Sequence, residues 1–326
     1  MNRYLKLFIA GLASVLGIYI AFQGENIEGL WSQIVQIDKT AFYSANILLL
    51  LSCFVRAYRW GLILEPIEKI KLKDLFASTM VGYFGNGVLA FRLGELLRAY
   101  SISQNRSISV PQAFGTVILE RILDLLMVLF VFLLVIPWFP FEFEWLRMSA
   151  ILFAGLIFGI MLFIFFSFKF QWNYNIQKLN ILQTGFGKNI IHILNKIFDG
   201  IILIKNTKHS LAIIFSSILL WFMYYSVTII LLYACNINLG IVGSGILLII
   251  GSFAIGIPAL PGSAGTYDAG VKFGLITVFS IVSDKALTYA LVSHFVSYFP
   301  VVIVGAIYFM MGSIKISEIQ KSKVKI

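Results

Sequence analysis

Long apolar runs, separated by short polar segments, fill most of the chain. Because about 18–20 consecutive apolar residues cross a bilayer, eight runs are candidate spans: 5–22, 42–64, 112–136, 148–168, 211–234, 241–258, 265–282 and 286–311. A ninth run, 75–91, is interrupted by glycine and asparagine at 82–87. The pattern predicts an all-α fold: a polytopic transmembrane bundle of about eight spans plus one or two re-entrant or broken helices. We expect a single domain over 1–326, and an inverted repeat is one arrangement that the pattern leaves open.

The lysines and arginines favour a re-entrant position for 75–91. If that run returns to the side from which it came, 18 of the 25 basic residues share one face, 3 lie on the other and 4 lie inside spans. A full crossing would invert the later spans and place the lysine-rich segment 169–210 outside. The positive-inside rule therefore predicts that both termini are cytoplasmic. We expect a multi-pass protein of the plasma (inner) membrane.

The segment 169–210 contains a stretch with a different pattern. Within 186–205 isoleucines and leucines recur at helical spacing, with lysine, asparagine and aspartate on another face. That pattern is typical of a helix lying in the membrane interface. We interpret 169–210 as a cytoplasmic amphipathic connector, and a sensor or gate is the alternative.

Composition excludes several classes of protein. The chain is 60% apolar and 12% charged, whereas a soluble domain carries about 25% charged residues, so a water-soluble enzyme is excluded. The net charge is +10, and most of the basic residues lie between apolar runs and form no continuous patch. This distribution argues against nucleic acid as a partner and favours contacts with anionic lipid. Cys53, Cys235, His192, His209 and His294 are scattered and lack the spacing of a metal site. We therefore expect no cofactor, no metal and no catalytic residue.

Two charged clusters lie inside apolar runs, where each charge costs at least ~2.5–3.5 kcal/mol unless it has a partner or a wet cavity. Arg56 and Arg59 are three residues apart and share a helix face. They either reach towards the interface or form a fork for a phosphate. Glu120, Arg121 and Asp124 lie within the run 112–136. They are candidate counter-charges for the arginines, and uptake of a coupling proton is the alternative.

A third cluster directly follows the interrupted run. Arg92, Glu95 and Arg98 repeat every three residues, so they can pair along one helix face. Asn86 lies in the interruption before them. A helix that starts at membrane depth presents free backbone amides and a partial positive charge. This cluster is therefore a candidate anion site.

The second half of the chain has its own interruption, a predicted broken helix at 256–270. Gly262, Gly265 and Thr266 lie in it and could offer amides and a hydroxyl to an anion. Asp268 and Lys272 are four residues apart and are expected to pair. Two interrupted apolar segments, one in each half, are typical of transporters whose broken helices meet around a substrate site.

At these residues the chain resembles the lysylphosphatidylglycerol synthase transmembrane-domain family, also called flippase-like. The resemblance spans about 40–310 and rests on four blocks, namely Arg56-Ala57-Tyr58-Arg59-Trp60, Arg92-Leu93-Gly94-Glu95 with Arg98, Glu120-Arg121 with Asp124, and Pro261-Gly262-Ser263-Ala264-Gly265-Thr266. One departure is Ala90, where the family usually has proline. In the full-length synthases this domain moves lysyl-phosphatidylglycerol between leaflets, and a separate soluble domain makes the lipid. That soluble domain is not expected in this chain.

The resemblance implies a lipid flippase rather than an enzyme. We expect an anionic phospholipid or a polyprenyl-linked glycan intermediate as substrate. The lipid phosphate is expected to contact Arg56, Arg59, Asn86, Arg92, Arg98, Gly262, Gly265 and Thr266, with Glu95, Glu120, Arg121, Asp124, Asp268 and Lys272 as counter-charges or coupling groups. Two alternatives stay open: a membrane-embedded lipid-carrier transferase, and an accessory subunit of a lipid synthase or glycosyltransferase. The sequence also leaves a homo-oligomer open.

Overall fold

The computed structural model of the chain describes most of the predicted spans. It covers residues 15–16, 18–22, 27–89, 92–138, 148, 151–152, 155, 159, 207–256 and 261–312. The predicted connector 169–210 lies outside the described residues except for its last four positions. Most of the run 148–168 also lies outside them.

The described residues form helices and no strands. In chain order the helices are α1 (Ile27–Val35), α2 (Lys39–Leu64), α3 (Leu72–Val88), α4 (Gly94–Ser103), α5 (Val110–Val135), α6 (Ser210–Ala234), α7 (Gly240–Gly256), α8 (Thr266–Phe279) and α9 (Ser283–Met311). The bounds of α2, α3 and α5 to α9 follow the apolar runs to within a few residues, whereas α1 and α4 lie outside those runs. The predicted all-α membrane bundle is therefore confirmed.

Three of these helices are long and apolar enough to cross a membrane: α2, α6 and α9. Helix α5 has 26 residues, or about 39 Å at 1.5 Å per residue, which exceeds the ~30 Å hydrocarbon core. It differs from those three because it carries Glu120, Arg121 and Asp124 near its middle. Each of these charges must find a partner inside the bundle.

Helices α3 and α4 form an antiparallel hairpin, here called the first hairpin. The Ser78 and Ser101 hydroxyls lie 3.1 Å apart near its open end. Towards the turn, Gly82 packs on the Arg98 side chain, and Gly94 packs directly on the Gly82 carbonyl. A side chain at Gly94 would overlap that backbone, so the glycines let the two helices approach closely.

The open end of the first hairpin is fastened by side chains from its two flanking segments. Arg106, which follows α4, pairs with Glu68 at 3.2 Å and with Asp74 at 2.8 Å. The Ser107 hydroxyl also donates to Glu68, at 2.7 Å. The chain therefore returns to the end of the bundle where α3 began. A re-entrant position of this hairpin in the bilayer stays a prediction.

The interruption in the first hairpin lies later than the sequence indicated. Helix α3 runs without a break through 82–87 and ends at Val88. The turn follows it, and there Arg92 has a positive φ of 54°. The glycines at 82–87 serve close packing, because a glycine inside a helix removes a side chain without forcing the backbone to turn.

Helices α7 and α8 form a second antiparallel hairpin, here called the second hairpin. Gly270 packs on Ala254, and Gly274 packs on Ile250. Its turn contains a short 3-10 segment, Pro261–Ser263, in which Gly262 has a φ of 73°. The helix thus stops at Gly256 and starts again at Thr266, within the predicted interruption.

The turns of the two hairpins meet against α9. Tyr298 donates its hydroxyl to the Gly87 carbonyl at 2.9 Å, and its ring covers Gly262. Arg92 adds a direct link, because its Nη2 donates to the Ile255 carbonyl at 2.9 Å. The two interrupted segments, distant in sequence, are therefore neighbours in the fold.

Candidate functional site

Two arginines of α2 face two carboxylates of α5 in the interior of the bundle. Arg56 and Arg59 are 5% and 0% exposed. Arg56 pairs with Glu120 at 2.5 Å and with Asp124 at 3.1 Å, while Arg59 pairs with Asp124 at 2.7 Å. Ser217 of α6 accepts a further hydrogen bond from Arg59 at 3.1 Å. Arg56 and Arg59, three residues apart on α2, therefore lie opposite Glu120 and Asp124, four residues apart on α5.

A third arginine reaches the same carboxylates from the first hairpin. Arg98 is 3% exposed and donates two hydrogen bonds to Glu120, of 3.0 and 3.2 Å. Its guanidinium carbon lies 3.9 Å from the centre of the Trp60 ring, a cation–π contact. Trp60 is itself fixed, because its Nε1 donates to Thr116 at 2.9 Å. Glu120 therefore joins the hairpin to α2 and α5.

Arg121 and Glu95 form a more exposed pair at the edge of this cluster. Arg121 Nε lies 2.9 Å from Glu95, and Arg121 Nη1 lies 3.4 Å from Asp124. The sequence predicted that Glu95 pairs along its own helix with Arg92 or Arg98. In the structure its partner is on α5 instead, and Arg92 is exposed and bonds to the second hairpin.

We call Arg56, Arg59, Arg98, Arg121, Glu95, Glu120 and Asp124 the charged cluster. Four guanidinium groups face three carboxylates, so the formal charge of the cluster is +1. Both oxygens of Glu120 and both oxygens of Asp124 are engaged by guanidinium groups. This arrangement supports counter-charge roles for the two carboxylates.

A small polar cavity lies between the charged cluster and the first hairpin. Its volume is about 10 Å³, the lower limit for a single water. Three buried polar atoms of its lining residues have no hydrogen-bond partner among the described residues, namely Nε of Arg98, Nε of Arg121 and Oδ1 of Asn86. It is lined by Arg56, Thr79, Gly82, Tyr83, Asn86, Glu95, Arg98 and Arg121. The structure thus brings Asn86 to the arginines, as the sequence expected.

The predicted anion-binding groups of the second interruption lie elsewhere and bond to their own turn and to α9. The Gly265 N–H donates to Asp268 at 3.0 Å, and the Thr266 hydroxyl donates to the Ser263 carbonyl at 3.1 Å. The Gly262 carbonyl is bonded to His294. These groups do not line the polar cavity. They hold the second turn together and fasten it to α9.

Asp268 has a different partner from the one that the sequence suggested. Its carboxylate oxygens lie 2.9 and 3.0 Å from Nδ1 of His294. Lys272, the expected partner, donates instead to the Ala21 carbonyl at 2.6 Å. The spacing of the histidines excludes His294 as a metal ligand, but it does not reveal this pair with Asp268. A histidine inside an apolar run, with Tyr298 one helical turn later, was the available signal.

A second, larger cavity lies beside His294. It is partly open and has a volume of about 620 Å³. Its wall is formed mainly by side chains from α1 and α9 and by the turn of the second hairpin. The wall is largely apolar, and its side chains with polar groups are Trp31, Asp268, His294 and Tyr298. Within the described residues, no group of three or more histidine, cysteine, aspartate or glutamate side chains is arranged to hold a metal ion.

Two comparisons relate the chain to known proteins. Residues 5–305 match the family model described as the lysylphosphatidylglycerol synthase TM region. A UPF0104 membrane protein of Methanocaldococcus jannaschii is 34% identical to the chain over 98 residues. That match covers 29% of this chain, and the chain spans 29% of the length of that relative.

Proposed function

Because the chain belongs to the family of the lysylphosphatidylglycerol synthase transmembrane region, we propose that it moves a phosphate-bearing lipid between the two leaflets of a membrane. A membrane location follows from the family and from the apolar helices. The head group must cross a hydrocarbon layer about 30 Å thick, and an isolated charge there costs several kcal/mol. A protein that lowers this cost needs positive charge inside its bundle.

The observation that carries the proposal is the polar cavity at the first hairpin. Among the described residues, three guanidinium groups line it, those of Arg56, Arg98 and Arg121, together with one carboxylate, that of Glu95. Arginine matches phosphate in bidentate geometry. The Nε donors of Arg98 and Arg121 also have no hydrogen-bond partner in the part of the chain that the structure describes. An anionic head group suits this environment better than a neutral or cationic one.

The cavity must widen before a phosphate can enter, since it has room for about one water. Glu95 is the group whose departure would open it. Its partner Arg121 is 33% exposed, whereas the deeper pairs made by Glu120 are almost fully buried. We propose that the phosphate takes the place of Glu95 on Arg121 and then bonds to Arg98. The acyl chains stay in the hydrocarbon outside the bundle.

Several finer features belong to the same proposal. The substrate is an anionic phospholipid or a polyprenyl-linked intermediate, and the chain performs no covalent chemistry on it. The protein lies in the plasma membrane with both termini on the cytoplasmic side. The distribution of lysine and arginine supports this orientation.

The test is lipid movement in vesicles that contain the purified full-length protein. Fluorescent phosphatidylglycerol and fluorescent phosphatidylcholine are compared by dithionite quenching of the outer leaflet. We expect faster movement of the anionic lipid and at least a tenfold slower rate in Arg121→Gln. Arg106→Gln is the matched control, because Arg106 pairs at the open end of the hairpin and lies outside the cavity.

Three outcomes would overturn the proposal. The first is an equal rate in Arg121→Gln and the unchanged chain, with both proteins folded. The second is a new lipid species in mass spectra after incubation, which would indicate a transferase. The third is lipid movement only after a synthase or glycosyltransferase is added, which would indicate an accessory subunit.

A further inference from the structure

The His294 ring lies between two hydrogen-bond acceptors. Its Nε2 is 2.9 Å from the Gly262 carbonyl oxygen, and its Nδ1 is 2.9 Å from Asp268 Oδ1. A carbonyl oxygen only accepts, so Nε2 must carry a hydrogen. A second hydrogen must lie between Nδ1 and the carboxyl group, because two lone pairs would otherwise face each other. The pair therefore holds two protons.

The second proton belongs to the imidazole ring. Asp268 Oδ2 already accepts a hydrogen bond from the backbone N–H of Gly265 at 3.0 Å. Asp268 as a whole is 6% exposed. A carboxylate that accepts from two donors is stabilised as the anion. His294 is then an imidazolium ion that donates from both nitrogens, to Asp268 and to Gly262.

The other groups around His294 do not replace this bond. From α8, Tyr267 places its ring 5.2 Å away, and its hydroxyl is bonded to Ser293. Lys272, one turn after Asp268, is directed to the Ala21 carbonyl. From α9, the Tyr298 ring lies 6.0 Å away in an edge-on contact. The part of α1 that lines the neighbouring cavity contributes uncharged side chains.

Loss of the second proton has a defined mechanical consequence. The proton leaves Nδ1 for water in the partly open cavity that His294 lines, and Asp268 stays a carboxylate. A neutral ring has one N–H for two acceptors, so it must give up either Asp268 or Gly262. Gly262 lies at the turn of the second hairpin and has a φ of 73°. It packs on the ring of Tyr298, whose hydroxyl donates to Gly87 of the first hairpin.

We propose that His294 and Asp268 form a proton-binding site that fastens the turn of the second hairpin to α9, and that release of its proton opens the cavity beside it. The site stands on the contacts of the two side chains. Its use as the coupling step of lipid movement rests on the proposed function. Glu120 and Asp124, the carboxylates that the sequence offered for a coupling proton, are both paired with arginines.

The first experiment detects the proton directly. The full-length protein, labelled with ¹⁵N at its three histidines, is studied by solid-state NMR in lipid bilayers from pH 5 to 9. Loss of a signal in His294→Gln assigns that residue. We expect both ring nitrogens of His294 to be protonated at acidic pH and one proton to leave in a single step. Asp268→Asn should bind that proton at least tenfold less tightly.

The second experiment measures the opening. Ala264 lines the cavity beside the turn, and both native cysteines, Cys53 and Cys235, are buried and can be replaced by alanine. The alkylation rate of Ala264→Cys is divided by that of Val282→Cys, because Val282 is 69% exposed and serves as the reference site. This ratio corrects for the change in thiolate concentration with pH. The ratio should rise at least fivefold across the His294 titration and stay constant in His294→Gln.

The outcomes separate this inference from the proposed function. A His294 ring that has one unprotonated nitrogen throughout, or two protons throughout, overturns the inference, and so does a constant alkylation ratio in the unchanged chain. If the ring titrates and the ratio rises while vesicles show no lipid movement, the proton site stands and the proposed function fails. If vesicles show lipid movement while the alkylation ratio stays constant, the proposed function stands and the proton site fails.

Discussion

Arg98 of the first hairpin and Glu120 of α5 are joined by two hydrogen bonds, of 3.0 and 3.2 Å, in a region where both side chains are almost fully buried. Glu120 also accepts from Arg56 of α2. Three separate elements therefore meet on one carboxylate. A buried ion pair of this kind is costly to form and costlier to break, because removal of one partner leaves the other charge uncompensated.

Replacement of Glu120 by glutamine should destabilise the bundle severely. The amide keeps the shape of the side chain but removes the charge that faces Arg56 and Arg98. We expect a loss of about 3–5 kcal/mol in the free energy of unfolding, measured by chemical denaturation in detergent. Glu95→Gln is the control, because Glu95 pairs with the more exposed Arg121, and its loss should be about 1 kcal/mol or less. Equal losses in the two variants would contradict the assigned role of Glu120.

Most helix positions could be predicted from the apolar runs alone. The run 112–136 became the helix Val110–Val135, and 211–234 became Ser210–Ala234. The prediction is wrong about the position of the interruption in the first hairpin, because glycine and asparagine at 82–87 do not break the helix. Local composition cannot distinguish a glycine that turns the backbone from one that admits a neighbouring helix. That difference is decided by tertiary packing.

The charged residues show the same limit. Sequence spacing correctly grouped Arg56 with Arg59, and Glu120 with Asp124, because residues three or four apart share a helix face. It assigned Asp268 to Lys272 by the same rule, whereas His294 lies against Asp268 from a helix 26 residues later. Spacing rules describe one helix, and the partners between helices depend on how the bundle assembles.

Gly94→Ala tests the close approach within the first hairpin. A methyl group at Gly94 would overlap the Gly82 carbonyl and the backbone nitrogen of Asn86, and backbone cannot move aside as a flexible side chain can. We expect a loss of about 1–3 kcal/mol, typical of overpacking, measured as the free energy of unfolding in detergent. Gly256→Ala is the matched control, because a methyl group there meets nothing within 4 Å. A tolerated Gly94→Ala would contradict the packing of the hairpin.

Tyr298→Phe tests the contact that joins the two turns. The substitution removes the hydroxyl that donates to the Gly87 carbonyl at 2.9 Å and keeps the ring over Gly262. We expect a loss of about 0.5–1.5 kcal/mol, the net worth of one hydrogen bond, in thermal or chemical unfolding. Tyr308→Phe on the same helix is the control, because the Tyr308 ring contact with Phe76 survives the change. Equal stability of both variants and the unchanged chain would show that the hydroxyl bond contributes nothing.

Glu68 makes the stability of the first hairpin dependent on pH in the acidic range. The Ser107 hydroxyl, above all, together with the Ser107 N–H and Arg106, lowers the pKa of Glu68 below its ordinary value of 4.5. A carboxyl group with a lowered pKa in the folded state stabilises the fold fully above its ordinary pKa. That contribution is lost as the pH falls through the lowered value. We therefore expect the unfolding midpoint to decrease more steeply between pH 5 and 3 in the unchanged chain than in Glu68→Gln.

Ser107→Ala separates the hydroxyl from the rest of this interaction. It removes the donor at 2.7 Å and leaves the two bonds from the Ser107 N–H and Arg106. The acid dependence should then lie between that of the unchanged chain and that of Glu68→Gln, while stability at pH 7 falls only slightly. Parallel pH curves for the three proteins would show that Glu68 titrates alike in the folded and unfolded chains. In that case Arg106 and Asp74 alone would close the open end of the hairpin.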